Sequence, residues 1–212
     1  MLIDVISDTI CPWCYIGKKH LEQALAQRPS VNARTVWRPF LLNCGMPPEG
    51  ICRDDYVVRK FGREARIRRV YGAITQAGQS VDIDFDFHRI DRTPNSITSH
   101  RLVIFAIRAG KGDAAVENLY FEFFINGRDI GDERILLEIG ERIGLDRNDL
   151  EAYFSNDEDI HYIYDENTRA HRMGVNGIPA FVFNKQMVIS GAQEPQVLVR
   201  MLDAALATET AA

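Results

Sequence analysis

Apolar residues change their spacing twice along the chain. Leu2 to Ile6 is a short apolar run interrupted only by Asp4, and it reads as a strand that leads into the turn-like Ser7-Asp8-Thr9. From Pro12 onward Cys14, Tyr15, Leu21 and Leu25 recur near helical spacing, and Arg28-Pro29 closes the helix. Residues 33–40 (ARTVWRPF) alternate as a second strand, with Thr35 and Trp37 on one side and Val36 and Arg38 on the other. A loop carrying Pro47 and Pro48 separates this unit from a long helical stretch.

Residues 53 to about 172 read as helical nearly throughout. Residues 53–77 form one candidate helix. Pro94 suits the first turn of a second, which runs to Ala109 and stops at Gly110. A third spans residues 113–125 and ends at Asn126-Gly127. Asp132 caps a helix to Ile143, closed by Gly144, and Asp146 caps the next. The last of the block runs from about Asp157 to Met173 and ends at Gly174. After Gly177 the period returns to two. Residues 180–183 form a strand, Asn184-Lys185 a tight turn, and residues 186–190 its hairpin partner. Residues 194–207 give a final helix with Val197, Leu198, Met201, Leu202 and Ala205 on one face, and the tail from Thr208 to Ala212 is expected to fray. The first and last parts each lack the sheet edge the other supplies. One mixed sheet built from both ends, with the helices inserted between, satisfies both.

Composition narrows the function classes. With 212 residues, 46 % apolar and 26 % charged, the chain suits one large domain or a domain carrying an insertion, and excludes disorder. No stretch free of Asp, Glu, Lys and Arg exceeds 12 residues, against the roughly 20 of a spanning helix. No membrane association is expected. Met1-Leu-Ile-Asp4 runs straight into the first strand, without the basic start and long apolar run of an export signal, so a cytoplasmic location is expected. A net charge of −5 argues against nucleic-acid binding. Arg59, Lys60, Arg63, Arg66, Arg68 and Arg69 crowd one helical stretch, which reads as a solvated face. Asp82, Asp84 and Asp86 alternate with apolar residues in the manner of a calcium loop. Phe87 and Thr93 stand where that loop needs its glycine and terminal glutamate, so no metal is assigned.

Cys11-Pro12-Trp13-Cys14 comes after the first strand and opens the first helix. A thiol there faces unpaired backbone N–H groups and the positive end of the helix dipole, both of which favour thiolate. Pro12 fits the first turn, where a missing N–H costs nothing. The spacing brings both sulfurs to one side of the helix start. Cys11 is then the exposed attacking thiol and Cys14 the more buried resolving one. Half of a zinc site is the alternative, but Cys44 and Cys52, with seven residues between them, do not supply a usual second half. A Cys-x-x-Cys beside a strand–helix pattern reads as thioredoxin-like dithiol chemistry. Pro179 opens the first strand of the late hairpin. A cis Ile178–Pro179 bond there would leave the Ile178 backbone free to pair with a substrate chain.

The chain resembles the DsbA-like branch of the thioredoxin superfamily, and most closely FrnE-type DsbA-family oxidoreductases. The matching pieces run in order through almost the whole chain: Ser7-Asp8 before Cys11-Pro-Trp-Cys-Tyr-Ile-Gly17, Trp37-Arg-Pro-Phe-Leu-Leu-Asn43, Arg92-Thr-Pro-Asn-Ser96 with His100-Arg101-Leu102, Asp129-Ile130, Gly174-Val-Asn-Gly-Ile-Pro179 and Ser190-Gly-Ala-Gln193. The resemblance implies an α/β thioredoxin fold with a large all-helical insertion. Residues 1–48 and 174–212 would build the thioredoxin-like domain and residues 49–173 the insertion. It also implies a redox pair Cys11/Cys14, a cis Pro179 packed beside it, and substrate contacts at Pro12, Trp13, Ile178 and Pro179. Partners would be protein or small-molecule thiols and disulfides, with no cofactor beyond the dithiol and glutathione as a candidate co-substrate. His100 matches a motif but is given no catalytic role. Cys44 departs from the family, where proline is more usual, which leaves open whether Cys44 and Cys52 are an accessory pair or two separate thiols. Related 2-hydroxychromene-2-carboxylate isomerases and kappa-class glutathione transferases carry serine in place of the Cys-Pro-Trp-Cys motif. In such a protein glutathione would sit on the Ile178–Pro179 backbone and near residues 190–193. That reading, and a partner-binding adaptor on the same fold, are the alternatives to a thiol–disulfide oxidoreductase.

Overall fold

The computed structural model describes residues 1–210. The first strand, β1 (Leu2–Ser7), leads through a loop into α1 (Pro12–Ala26), and β2 (Arg34–Pro39) comes next. At the other end of the chain come β5 (Ala180–Phe183), β6 (Met187–Ser190) and α9 (Pro195–Thr210). The four strands form one sheet in the order β2-β1-β5-β6. β1 lies parallel to β2, from Leu2 opposite Arg34 to Ser7 opposite Pro39, and antiparallel to β5, from Ile3 opposite Phe183 to Ile6 opposite Ala180. Both ends of the chain therefore meet at β1, as the two incomplete half-sheets require.

Alternation along the strands sorts the two faces. Val5 and its partner Phe181 share one face, against which α1 lies: the Phe181 ring reaches to the bare Cα of Gly17, and α9 packs on α1. Asp4, Ile6, Val182 and Val188 share the other. There α8 (Ile160–Arg172) packs, and with α4 (Ile97–Arg108) and α5 (Gly112–Phe124) it covers β2. One continuous buried cluster joins Ile3, Val5 and Phe181 of the sheet to Leu119 and Phe123 of α5 and Leu136 of α6 (Glu133–Arg142). The helical block shares its core with the sheet.

Several expectations are corrected. The insertion is not wholly helical: β3 (Ile51–Cys52) and β4 (Arg92–Thr93) pair as a two-stranded antiparallel ribbon. The single helix expected over residues 53–77 is two, α2 (Arg53–Phe61) and α3 (Glu64–Gln79), because Gly62 takes φ +79° between them. Pro94 precedes α4 by three residues, since Thr93 is still in β4 and Asn95 Oδ1 accepts the N–H of Ile97. α9 continues helical through Thr210, past the expected start of fraying, while Ala211 and Ala212 lie outside the described residues. The two aspartate caps are as expected: Asp132 Oδ1 accepts from Arg134 N at 2.9 Å, and Asp146 Oδ1 from Asp149 N at 3.0 Å, opening α7 (Arg147–Phe154).

Candidate active site

Cys11 is the N-cap of α1, in extended conformation with φ −100° and ψ 110°, and Pro12 begins the helix. No side chain caps this helix start and its first turn carries no acidic residue. The Cys11 sulfur therefore stands beside first-turn N–H groups and the dipole's positive end that no side chain caps. Its loop is fixed by the backbone: Cys11 N donates to Asp8 O at 3.1 Å, and Cys11 O accepts from Cys14 N at 3.0 Å.

The segment 178–179 meets this helix start. The Ile178–Pro179 peptide bond is cis, and Cys11 Sγ lies 4.0 Å from Ile178 O. Among the described residues nothing pairs with the Ile178 N–H. Pro179 is held from two sides. Its carbonyl accepts from Gly191 N at 2.7 Å, and its ring lies over α1 at Gly17, where a Cβ would stand 2.6 Å from Pro179 Cγ. Ser190 to Gln193, a motif visible in the sequence, thus closes this loop, and Gln193 O contacts His20 Nδ1 at 2.8 Å.

Exposure differs from expectation at one residue. Cys11, expected to be exposed, retains only 4 %, because Ile178 lies against its sulfur; Cys14 retains 1 %. Trp13 is the large apolar side chain left open beside them, at 38 %. Burial pushes the Cys14 thiol well above its usual pKa and the neighbouring Cys11 adds to this; a backbone hydrogen bond with Asp8 works the other way, and the Asp8 charge raises it by the smallest of these effects.

In the sequence Asp8 stands out only as part of a motif. In the structure it has no exposed surface. Its Oδ1 accepts from Ile10 N at 3.3 Å and its Oδ2 from Leu42 N at 2.8 Å. His100 Nε2 lies 3.5 Å from Oδ1 and 3.2 Å from Phe40 O. A carbonyl only accepts, so Nε2 carries the proton. Tyr120 closes the group from α5, its hydroxyl 3.4 Å from Asp8 O and its ring stacked on Tyr15. Burial, with Cys14 and Cys11 nearby, pushes the Tyr120 hydroxyl well above its usual pKa. The dithiol thus rests on a buried set of Asp8, His100 and Tyr120, drawn from a loop and two helices of the insertion.

Cys44 and Cys52 are held as separate free thiols. Cys44 Sγ contacts Leu41 O and Asn167 Nδ2, each at 3.4 Å, whereas Cys52 ends β3 and precedes α2. The crowded cations of residues 59–69 are all exposed.

Residues 2–203 match the DSBA-like thioredoxin domain. The chain belongs to this family. A probable DsbA oxidoreductase of Streptomyces coelicolor is 25 % identical and superposes with a TM-score of 0.88 over 98 % of this chain and 90 % of that one. A 2-hydroxychromene-2-carboxylate isomerase (17 % identity, TM-score 0.72, 99 % and 96 % covered) and the cytosolic disulfide reductase DsbM of Pseudomonas aeruginosa (19 %, 0.65, 98 % and 100 %) share the fold. An uncharacterized protein of Bacillus subtilis, YwbO, is 24 % identical over 144 residues, which span 68 % of this chain and 66 % of that protein. Among the described residues no helix is long and apolar enough to cross a membrane.

Proposed function

We propose that the chain is a thiol–disulfide oxidoreductase working through Cys11 and Cys14. The observation that carries this reading is the asymmetry of the pair: Cys11 caps a helix beside the Ile178 carbonyl, while burial holds Cys14 in its thiol form. The Cys11 thiolate attacks a substrate disulfide. One substrate sulfur leaves and takes up a proton, and a Cys11–substrate mixed disulfide forms. Cys14 then loses its proton and attacks Cys11 Sγ, which releases the second substrate thiol. The protein has given two electrons and holds a Cys11–Cys14 disulfide; the reverse steps oxidise a dithiol. Trp13, Pro12 and the free N–H of Ile178 supply the surface on which an extended substrate segment would lie.

Protein or small-molecule disulfides are the proposed partners, glutathione the proposed co-substrate and the cytoplasm the proposed setting. DsbM, described as cytosolic and also known in a form with GSH, is in keeping with this. Insulin reduction driven by dithiothreitol tests the reading. Cys11→Ser should abolish turnover, and Cys14→Ser should accumulate mixed disulfides that run as adducts on non-reducing gels. Turnover that survives Cys11→Ser, or wild type without turnover as an adaptor would be, overturns it. Conjugation or isomerisation of an aromatic substrate that survives loss of Cys14 would favour the glutathione-dependent alternative.

A further inference from the structure

Asp4 interrupts the apolar run of β1, and the dithiol chemistry makes no use of it. It faces the side of the sheet that carries α8, where a cavity of about 300 Å³ opens between strands and helix. Ile6 and Val182 form its apolar floor, and Ala170 and Met173 its wall. None of the residues around Cys11 borders it. Met173 is 43 % exposed, and on the same sheet face Val188 is 44 % exposed, so this end of the sheet has no helix over it.

The charges around this cavity are unevenly matched. Asp4, 7 % exposed, accepts from Arg38 Nε at 2.8 Å. Arg38 lies 3.8 Å from Glu166, and Arg169 donates to Glu166 at 3.1 Å. Each carboxylate therefore has an arginine. Lys185, in the turn after β5, makes no hydrogen bond or ion pair among the described residues. Three cations face two carboxylates, so the lining carries one unmatched positive charge. Ion pairs on an apolar sheet face contribute little that a hydrophobic layer would not. Here they surround a concave space of the size that small ligands occupy, with an apolar floor and few polar groups.

We propose that this cavity binds a small organic monoanion, with its apolar body against Ile6, Val182, Ala170 and Met173 and its charge at Lys185. The carboxylates of Asp4 and Glu166 are already engaged, so a cationic ligand finds no free partner, whereas an anion completes the charge balance. The site is independent of the redox reading.

Fluorescence titration with anilinonaphthalene sulfonate, an apolar body with one negative charge, tests it. The wild-type protein should bind the probe saturably at one-to-one stoichiometry. Lys185→Glu should weaken binding on the order of fivefold to tenfold, and Lys185→Arg should restore it. Phenylnaphthylamine, the same body without the charge, should bind both variants alike. Lys185 lies in a turn away from the dithiol, so both variants should keep wild-type insulin reduction. Non-saturable binding, an unchanged affinity in Lys185→Glu, or an equal loss for the neutral probe overturns the proposal.

Discussion

A carboxylate with no exposed surface, three residues before Cys11, adds its charge to the burial and the Cys11 contact that already disfavour ionisation of Cys14. Asp8 is held by two backbone N–H groups, with His100 on its other side, so it cannot turn away when a second negative charge forms nearby. The groups facing it are Cys11 and Cys14 from α1, His100 from α4 and Tyr120 from α5. Asp8→Asn keeps the size and one acceptor but removes the charge. In a Cys11→Ser background, Cys14 should then be alkylated by iodoacetamide faster, on the order of threefold to tenfold at pH 8. An unchanged or slower rate with an unchanged near-UV circular dichroism spectrum would show that Asp8 acts on loop position alone. The places of Cys11, Cys14 and the cis Pro179 in the fold are legible in the sequence because the signals for them are local: a spacing, a helix start, a strand start. The Asp8 assembly is not, since its partners stand at positions 42, 100 and 120, and no period in the sequence connects them.

Among the elements, those with a strong period or a capping residue are legible and the short or polar ones are not. Asp132 and Asp146 announce α6 and α7 because each accepts an N–H of its own first turn. The break at Gly62 lies inside the polar run 59–69, where no apolar stripe changes phase to mark it. β3 and β4 have two residues each, too few to show alternation. The approach of α1 to the 178–179 loop shows how closely elements can be set by one missing side chain. Gly17 has no Cβ where one would meet the rigid Pro179 ring at 2.6 Å and the Phe181 ring at 3.3 Å. Gly17→Ala should therefore push the loop off Cys11. Loss of stability should be about 1–3 kcal/mol by urea unfolding, with a loss of insulin reduction larger than the unfolded fraction accounts for. A variant as active and as stable as wild type would mean that the loop yields freely.

For the whole molecule, two carboxylates of the insertion, Glu122 buried and Glu117 partly so, contribute to the response to acid. Burial pushes Glu122 up, but Asn126, Arg142 and Arg128 more than offset this and hold it below the usual carboxylate range. Glu117 is lowered in the same way, burial being outweighed by Lys18 and Lys19, which tie α5 to α1. Their contribution is complete above the ordinary glutamate pKa of about 4.3 and is lost as pH falls through the lowered folded values. Urea midpoints measured from pH 7 down to pH 3 should fall steeply at the acid end. Glu122→Gln should lower stability at pH 7 by about 1–2 kcal/mol and flatten that fall; an unaltered slope would assign acid sensitivity elsewhere. The sheet order has a consequence of another kind. β1 holds the second sheet position and is the first of the four strands to be made, yet one of its two neighbours begins at residue 180. Until the ribosome has released the β5–β6 hairpin, β1 carries an open edge and Cys11 has no Ile178 carbonyl beside it. Pairing across so long a separation closes slowly and leaves the nascent chain exposed to aggregation. The newborn protein therefore passes through a stage in which its thiols are present and the loop that will cover them has not yet been made.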